Sequence, residues 1–154
     1  MKLKREARRH IEAEVLAYRE TLNAIEELRT EIIHGGKKGE ELGLAAGGGY
    51  ESSITERRAT KLADSILLRE MERITGAIAS AYDKTNQECR ELLWVKYRLK
   101  IGWHPDEQLT YIVANKHQDL SVNEIAEILH IDESTFHRYH SGFIYAIAER
   151  LGWW

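Results

Sequence analysis

The sequence predicts an all-α protein on three observations: proline is scarce, glycine is confined, and apolar residues recur every three or four positions. The 154 residues include one proline, Pro105, and 11 glycines, seven of them between residues 34 and 54. Average usage of about 5% would supply seven or eight prolines, so little interrupts a helix outside that stretch. No segment sustains the strict alternation of a half-buried strand.

The first helix is drawn by Ile11, Val15, Tyr18, Leu22, Ile25, Leu28 and Ile32, one apolar stripe among seven basic and seven acidic residues. Gly35-Gly36 is expected to end it, and residues 34–54 read as a flexible loop, because ordering glycine is entropically costly. Ser53-Ile-Thr-Glu56 has the form of a capping box for a second helix with Leu67, Met71, Ile74, Ile78 and Tyr82 on its apolar side. Thr85-Asn-Gln-Glu88 repeats the form and opens a third helix through Leu92, Leu93 and Leu99, or restarts the second after a bend. Gly102-Trp-His-Pro105 then marks a boundary, dividing a long-helix module (1–101) from a C-terminal domain (102–154). The long stripes fit an antiparallel hairpin and a homodimer equally well, since neither can be buried alone.

The C-terminal domain carries the most specific pattern. A short helix over 106–116 turns Leu109, Ile112 and Val113 inward, and Ser121-Val-Asn-Glu124 caps a helix over 122–129 with Ile125, Ala126 and Leu129 inward. His130-Ile131-Asp132 is a tight connection, and Asp132 caps a longer helix from 133 to about 150 that buries Phe136, Ile144, Ile147 and Leu151. Two helices joined by three residues, with small Ala126 at their closest approach, have helix-turn-helix spacing. His130 stands where that turn usually has glycine.

Composition narrows the function classes. Lys+Arg at 22 against Asp+Glu at 25 gives a net charge of −3, which excludes a uniformly basic nucleic-acid coat but not a local basic surface. The single cysteine, Cys89, fits a reducing compartment. No apolar run approaches the roughly 20 residues of a membrane span, and the basic residues 1–9 lead into no apolar stretch of a secretory signal, so a cytoplasmic protein is expected.

The segment LSVNEIAEILHIDESTFHRYHSGFIYAIAERLGWW resembles the C-terminal part of phage late-gene transcription activators of the RinA/ArpU type, itself similar to the promoter −35-binding region of sigma factors. The order IEAEVLAYRETLNAIEELRTEII, a Gly-rich gap and SSITERRATKLADS extends the resemblance over most of the chain. It implies a sequence-specific DNA-binding activator of phage packaging and structural genes. Its partners would be double-stranded promoter DNA and host RNA polymerase, in the cytoplasm of a bacterial host.

It further implies that the second helix of the motif lies in the major groove. Its outward positions are Glu133, Ser134, Thr135, His137, Arg138 and Ser141, with Tyr139 and His140 at the margin. Arg138 would pair bidentately with guanine, Ser134 and Thr135 with a base edge or phosphate, and His137 with phosphate. Glu133 would accept from a cytosine amino group or complement the helix dipole.

Charge opposes this picture. Residues 105–154 hold three basic and eight acidic side chains, a net −5 in the half that should meet a polyanion. Basic clusters lie elsewhere: Lys2, Lys4, Arg5, Arg8 and Arg9; Arg90, Lys96, Arg98 and Lys100; and Arg57, Arg58 and Lys61. Arg98 and Lys100 are therefore expected to flank the recognition helix on the DNA side. A partner, a second copy or polymerase, is the other way to offset the acidity.

No catalytic constellation, cofactor loop or metal set stands out, so a non-enzymatic protein without cofactor is expected. Gly47-Gly-Gly49 lacks the Lys-Ser/Thr and preceding strand of a phosphate loop. His137 and His140 have no third ligand at familiar spacing. Cys89 has no base beside it, and Trp153 and Trp154 should pack back on the domain or lie in a subunit contact. An alternative is a small terminase-like DNA-packaging subunit, although those usually carry the DNA-binding unit first.

Overall fold

The computed structural model describes residues 2–45 and 50–154, the side chains of 34–53 excepted. Among the described residues it is all helix, with no strand: α1 (Arg5–Leu16), α2 (Tyr18–Ala45), α3 (Tyr50–Asp83), α4 (Gln87–Tyr97), α5 (Glu107–Ala114), α6 (Val122–Leu129) and α7 (Glu133–Leu151). None of these helices is long and apolar enough to cross a membrane.

Local chemistry fixes the shorter helices. Asn86 accepts the Cys89 amide at 2.9 Å to start α4, Asp106 accepts the Leu109 amide at 2.7 Å to start α5, and Ser121 accepts the Glu124 amide at 3.2 Å to start α6. The ends of α4, α6 and α7 are turned by Arg98, His130 and Gly152, all in the left-handed region. After α6, the Ile131 amide reaches back to the Ala126 carbonyl at 3.0 Å, and after α7 the Trp153 amide reaches Ala148 at the same distance. These bonds satisfy carbonyls that would otherwise be orphaned at a helix end.

The chain divides into two compact units. The larger contains the chain up to Tyr18 together with Gly76–Trp154. Here α7 is the central element, packed on α1, α4 and α6, with α4 also against α6. It buries Phe136, Phe143, Ile144, Ile147, Ala148 and Leu151. Facing them are Ile11 and Val15 of α1, Leu92, Leu93 and Val95 of α4, and Ile125 and Ala126 of α6. Each fully buried large apolar side chain contributes roughly 1.5–3 kcal/mol over its exposed state. Trp153 folds back to within 4.5 Å of the His10 ring, and Trp154 meets the Tyr145 ring at 5.9 Å.

The smaller unit, Arg19–Thr75, holds most of α2 and α3. Ile25 and Ile74 are buried there, and Arg29 pairs with Glu72 across the two helices.

Several expectations are corrected. The first helix is interrupted at Ala17, where no breaker stands; the interruption coincides with the passage from one unit to the other. The expected loop over 34–54 is largely helical, since α2 runs to Ala45 and α3 begins at Tyr50. A helical glycine costs about 1 kcal/mol relative to alanine, while the interspersed Lys37, Lys38, Glu40, Glu41 and Leu42 are good helix formers that add little to that cost. Residues 46–49, including Gly47, Gly48 and Gly49, lie outside the described residues. Ser53 sits inside α3 rather than at its cap, and the cap of α4 is Asn86 rather than Thr85. Leu22 and Leu67 of the two stripes are exposed, and Ile112 and Leu129 are only half-buried. Packing also groups the chain differently from a division at residue 102, because α1 and α4 precede that point yet pack against α7. A local helix break at Gly102 does not decide which faces meet.

Candidate nucleic-acid interface

The turn between α6 and α7 consists of His130, Ile131 and Asp132. His130 adopts φ 55°, ψ 46°, the conformation that glycine would take there more cheaply. Buried Ile125 and Ala126 on α6 and Phe136 on α7 hold the two helices together. Phe136 faces inward, which leaves the other side of the first two turns of α7 outward. Glu133, Ser134, His137 and Arg138 are exposed on it, and Thr135 is half-buried. The Arg138 guanidinium lies 5.3 Å from the Tyr139 ring, and the Tyr139 hydroxyl donates to Glu88 Oε2 at 2.6 Å.

Farther along α7 the same side is occupied. Positions 134, 138, 141 and 145 are spaced four, three and four apart, so they form one line along the helix. Ser141 Oγ accepts from Arg8 at 3.3 Å, and the Tyr145 hydroxyl accepts from the Leu3 amide at 3.1 Å. The start of α1 thus lies on the second half of the line whose first half carries Ser134 and Arg138. Ser141, expected as a DNA contact, is half-buried and engaged by Arg8 of α1.

His140 is not marginal but buried, at 4% exposure. Arg8 Nη2 stands 3.2 Å from its Nδ1, the Tyr97 hydroxyl 2.6 Å from its Nε2, and the Tyr97 hydroxyl donates to Glu12 Oε1 at 3.2 Å. Because guanidinium only donates, Nδ1 is the acceptor, and the network assigns the proton to Nε2. The result is a chain from Arg8 through His140 and Tyr97 to Glu12 that ties α1, α4 and α7 together. Glu12 Oε1 also lies 3.2 Å from Nε2, an arrangement that favours imidazolium. Burial and the cations Lys96 and Arg8, with His137, oppose it and push the His140 pKa down to about 3. A second ring proton would also face the Arg8 donor, so the neutral ring is the form that fits. Burial, reinforced by Glu12, raises the Tyr97 phenol pKa.

The two cations assigned to the DNA side have other surroundings. Arg98 donates to the carbonyls of Trp94 (3.4 Å), Val95, Val113 (3.3 Å), Lys116 and His117 (both 3.5 Å). Its guanidinium is therefore a tie between the C-terminal ends of α4 and α5, not an open phosphate ligand. Lys100 is half-buried with Nζ 5.5 Å from the centre of the Trp94 ring. Lys96 Nζ lies over the rings of Tyr97 and Phe136 at 5.4 and 5.9 Å.

Of the five basic residues at the chain start, Arg8 reaches α7, at His140 and Ser141. Lys2, Lys4, Arg5 and Arg9 are exposed, and none forms an ion pair among the described residues. The spacing contained part of this signal: His140 lies four residues from both Phe136 and Ile144 and so falls on the buried stripe. Nothing in it named α1 as the partner.

Among the described residues no group of three or more His, Cys, Asp or Glu side chains is placed to hold a metal ion. Cys89 is buried, and burial pushes its thiol pKa up to about 11, which makes it a poor nucleophile. No protein-family model matches the chain, nor does any curated protein or solved structure.

Proposed function

We propose that the protein is a sequence-specific DNA-binding regulator that inserts the first two turns of α7 into the major groove. One observation carries this reading: Ser134, His137 and Arg138 project from a helix that α6 and a tight turn brace from behind. Short polar side chains and one arginine at the start of a braced helix are what base-edge readout needs. Together with the resemblance to RinA/ArpU-type activators, this makes activation of phage late genes with host RNA polymerase, in the bacterial cytoplasm, the proposed biological role.

Selection of duplexes from a random pool by the full-length protein, with and without RNA polymerase, tests it. The expected result is an enriched motif containing a guanine whose preference relaxes in Arg138→Ala, by about 1–3 kcal/mol of discrimination. Absence of any enriched motif under both conditions overturns the reading. A large ring in solution, together with binding that lacks sequence preference, would favour a packaging subunit instead.

A further inference from the structure

We infer that the start of α1 is a second DNA-contacting element, a phosphate clamp that engages the duplex beside the site read by α7. The inference rests on the proposed DNA binding and adds the surface that supplies its electrostatic affinity. Residues 105–154 alone carry a net −5, and phosphate neutralisation by Lys and Arg supplies nearly all sequence-independent affinity. Cations elsewhere in the chain are one source of that affinity.

Three features point to α1. It is anchored on α7 through Arg8 at Ser141, and the Leu3 amide just before it donates to Tyr145, both on the continuation of the line through Ser134 and Arg138. Arg5 and Arg9 of α1, with Lys2 and Lys4 just before it, are exposed and in no ion pair among the described residues, whereas Arg8 is engaged in anchoring to His140 and Ser141. Its attachment is also rigid: Ile11 and Val15 are buried, and the Arg8–His140–Tyr97–Glu12 chain fixes its rotation. A helix rises 1.5 Å per residue, so Ser141 lies only about 4.5 Å along the axis from Arg138. A duplex seated on Arg138 therefore brings its flanking phosphates toward α1. Arg98, the alternative source, has its donors committed to carbonyls.

The test measures affinity against salt concentration for the full-length protein on its selected duplex and on an unrelated one. Lys2→Gln/Lys4→Gln/Arg5→Gln/Arg9→Gln is expected to weaken both by the same factor, more than roughly tenfold. It should also flatten the slope of log K on log salt by about 0.9 per lost phosphate contact, up to about 3.6. The charge-preserving Lys2→Arg/Lys4→Arg/Arg5→Lys/Arg9→Lys protein should keep the wild-type slope. A matched control, Arg58→Gln/Lys61→Gln/Arg69→Gln/Lys84→Gln, removes as much charge from exposed positions elsewhere and should leave the slope nearly unchanged. If the N-terminal variant keeps the wild-type slope, or the control loses as much, the clamp is refuted while DNA binding stands. If the wild-type protein binds neither duplex, both the clamp and the proposed function fall. Because all eight side chains are exposed, superimposable thermal melts are expected and exclude misfolding as the cause.

Discussion

Lowering the pH should loosen the protein through one residue, His140. Its native pKa of about 3 lies well below the roughly 6.5 of an unfolded histidine. As pH falls through 6.5 the unfolded chain takes up a proton that the native ring refuses, so stability is fully present above 6.5 and is lost progressively toward 3. Linkage puts the loss between pH 7.5 and 5.0 at about 2 kcal/mol. Against a total of about 5–15 kcal/mol that is a large fraction. With a urea dependence of about 2 kcal/mol per molar, the denaturation midpoint should move down by about 1 M. Burial and the groups facing the ring explain the resistance: Lys96 from α4 and His137 from α7 add positive potential, Arg8 from α1 opposes a proton on Nδ1, and Glu12 acts in the opposite sense. Urea denaturation at the two pH values, in wild type and His140→Gln, isolates the effect. The variant should be less stable at pH 7.5 but should lose about 2 kcal/mol less than wild type on acidification. Equal losses in the two proteins would falsify the neutral, clasped histidine.

Four further outcomes follow from the same geometry. Arg98→Ala should destabilise the protein by about 1–3 kcal/mol by removing the side-chain tie between the end of α4 and the segment that follows α5, and lysine should not rescue it, because its three donors cannot span the same carbonyls; thermal melts check both. The salt slope of DNA binding should be the same in Arg98→Ala as in wild type. His130→Gly should raise stability by up to about 1 kcal/mol, because glycine adopts the left-handed turn without steric penalty, whereas His130→Val should lower it. Cys89 should react with a disulfide reagent at pH 8 only in denaturant, since its thiol is buried with a pKa of about 11; prompt reaction of the native protein would contradict this.

What could be read from the chain was its local chemistry. Ser121 is a cap because a short side-chain oxygen must meet an orphan amide, and α6 ends at Leu129 in the structure as in the pattern, whereas Asp132 stands at the start of α7 without a side-chain cap bond and Asp106, read as part of α5, is its cap. The helix-turn-helix spacing followed from those markers and from Ala126. What escaped was long-range or depended on competing terms. Periodicity shows that α1 has an apolar side but not that α7 covers it, because any complementary stripe would serve. Glycine content suggested a loop where glycines are diluted among strong helix formers, so a per-residue penalty did not add up to a break. Arg98 looked like a solvated cation because a charge count ignores direction. As the left-handed cap of α4, it turns its side chain back onto carbonyls at that helix's end.

The same distinction bears on the electrostatic objection to the proposed DNA binding. A net charge summed over consecutive residues matters only if those residues are neighbours in space, and screening limits their reach to about 8 Å at physiological salt. The compact unit that holds α7 also holds α1 and α4, and it carries 13 basic against 14 acidic residues, nearly neutral rather than −5. Within it the placement is uneven. Four exposed cations lead into a helix anchored at Ser141 and Tyr145, on the line that Arg138 begins, whereas Asp106 and Glu107 belong to the start of α5. For a polyanion approaching Arg138, the relevant potential is set by the side chains within one screening length. The cations of the N-terminal segment belong to that same compact unit, so the acidity counted over residues 105–154 is offset by side chains that lie far away in sequence order.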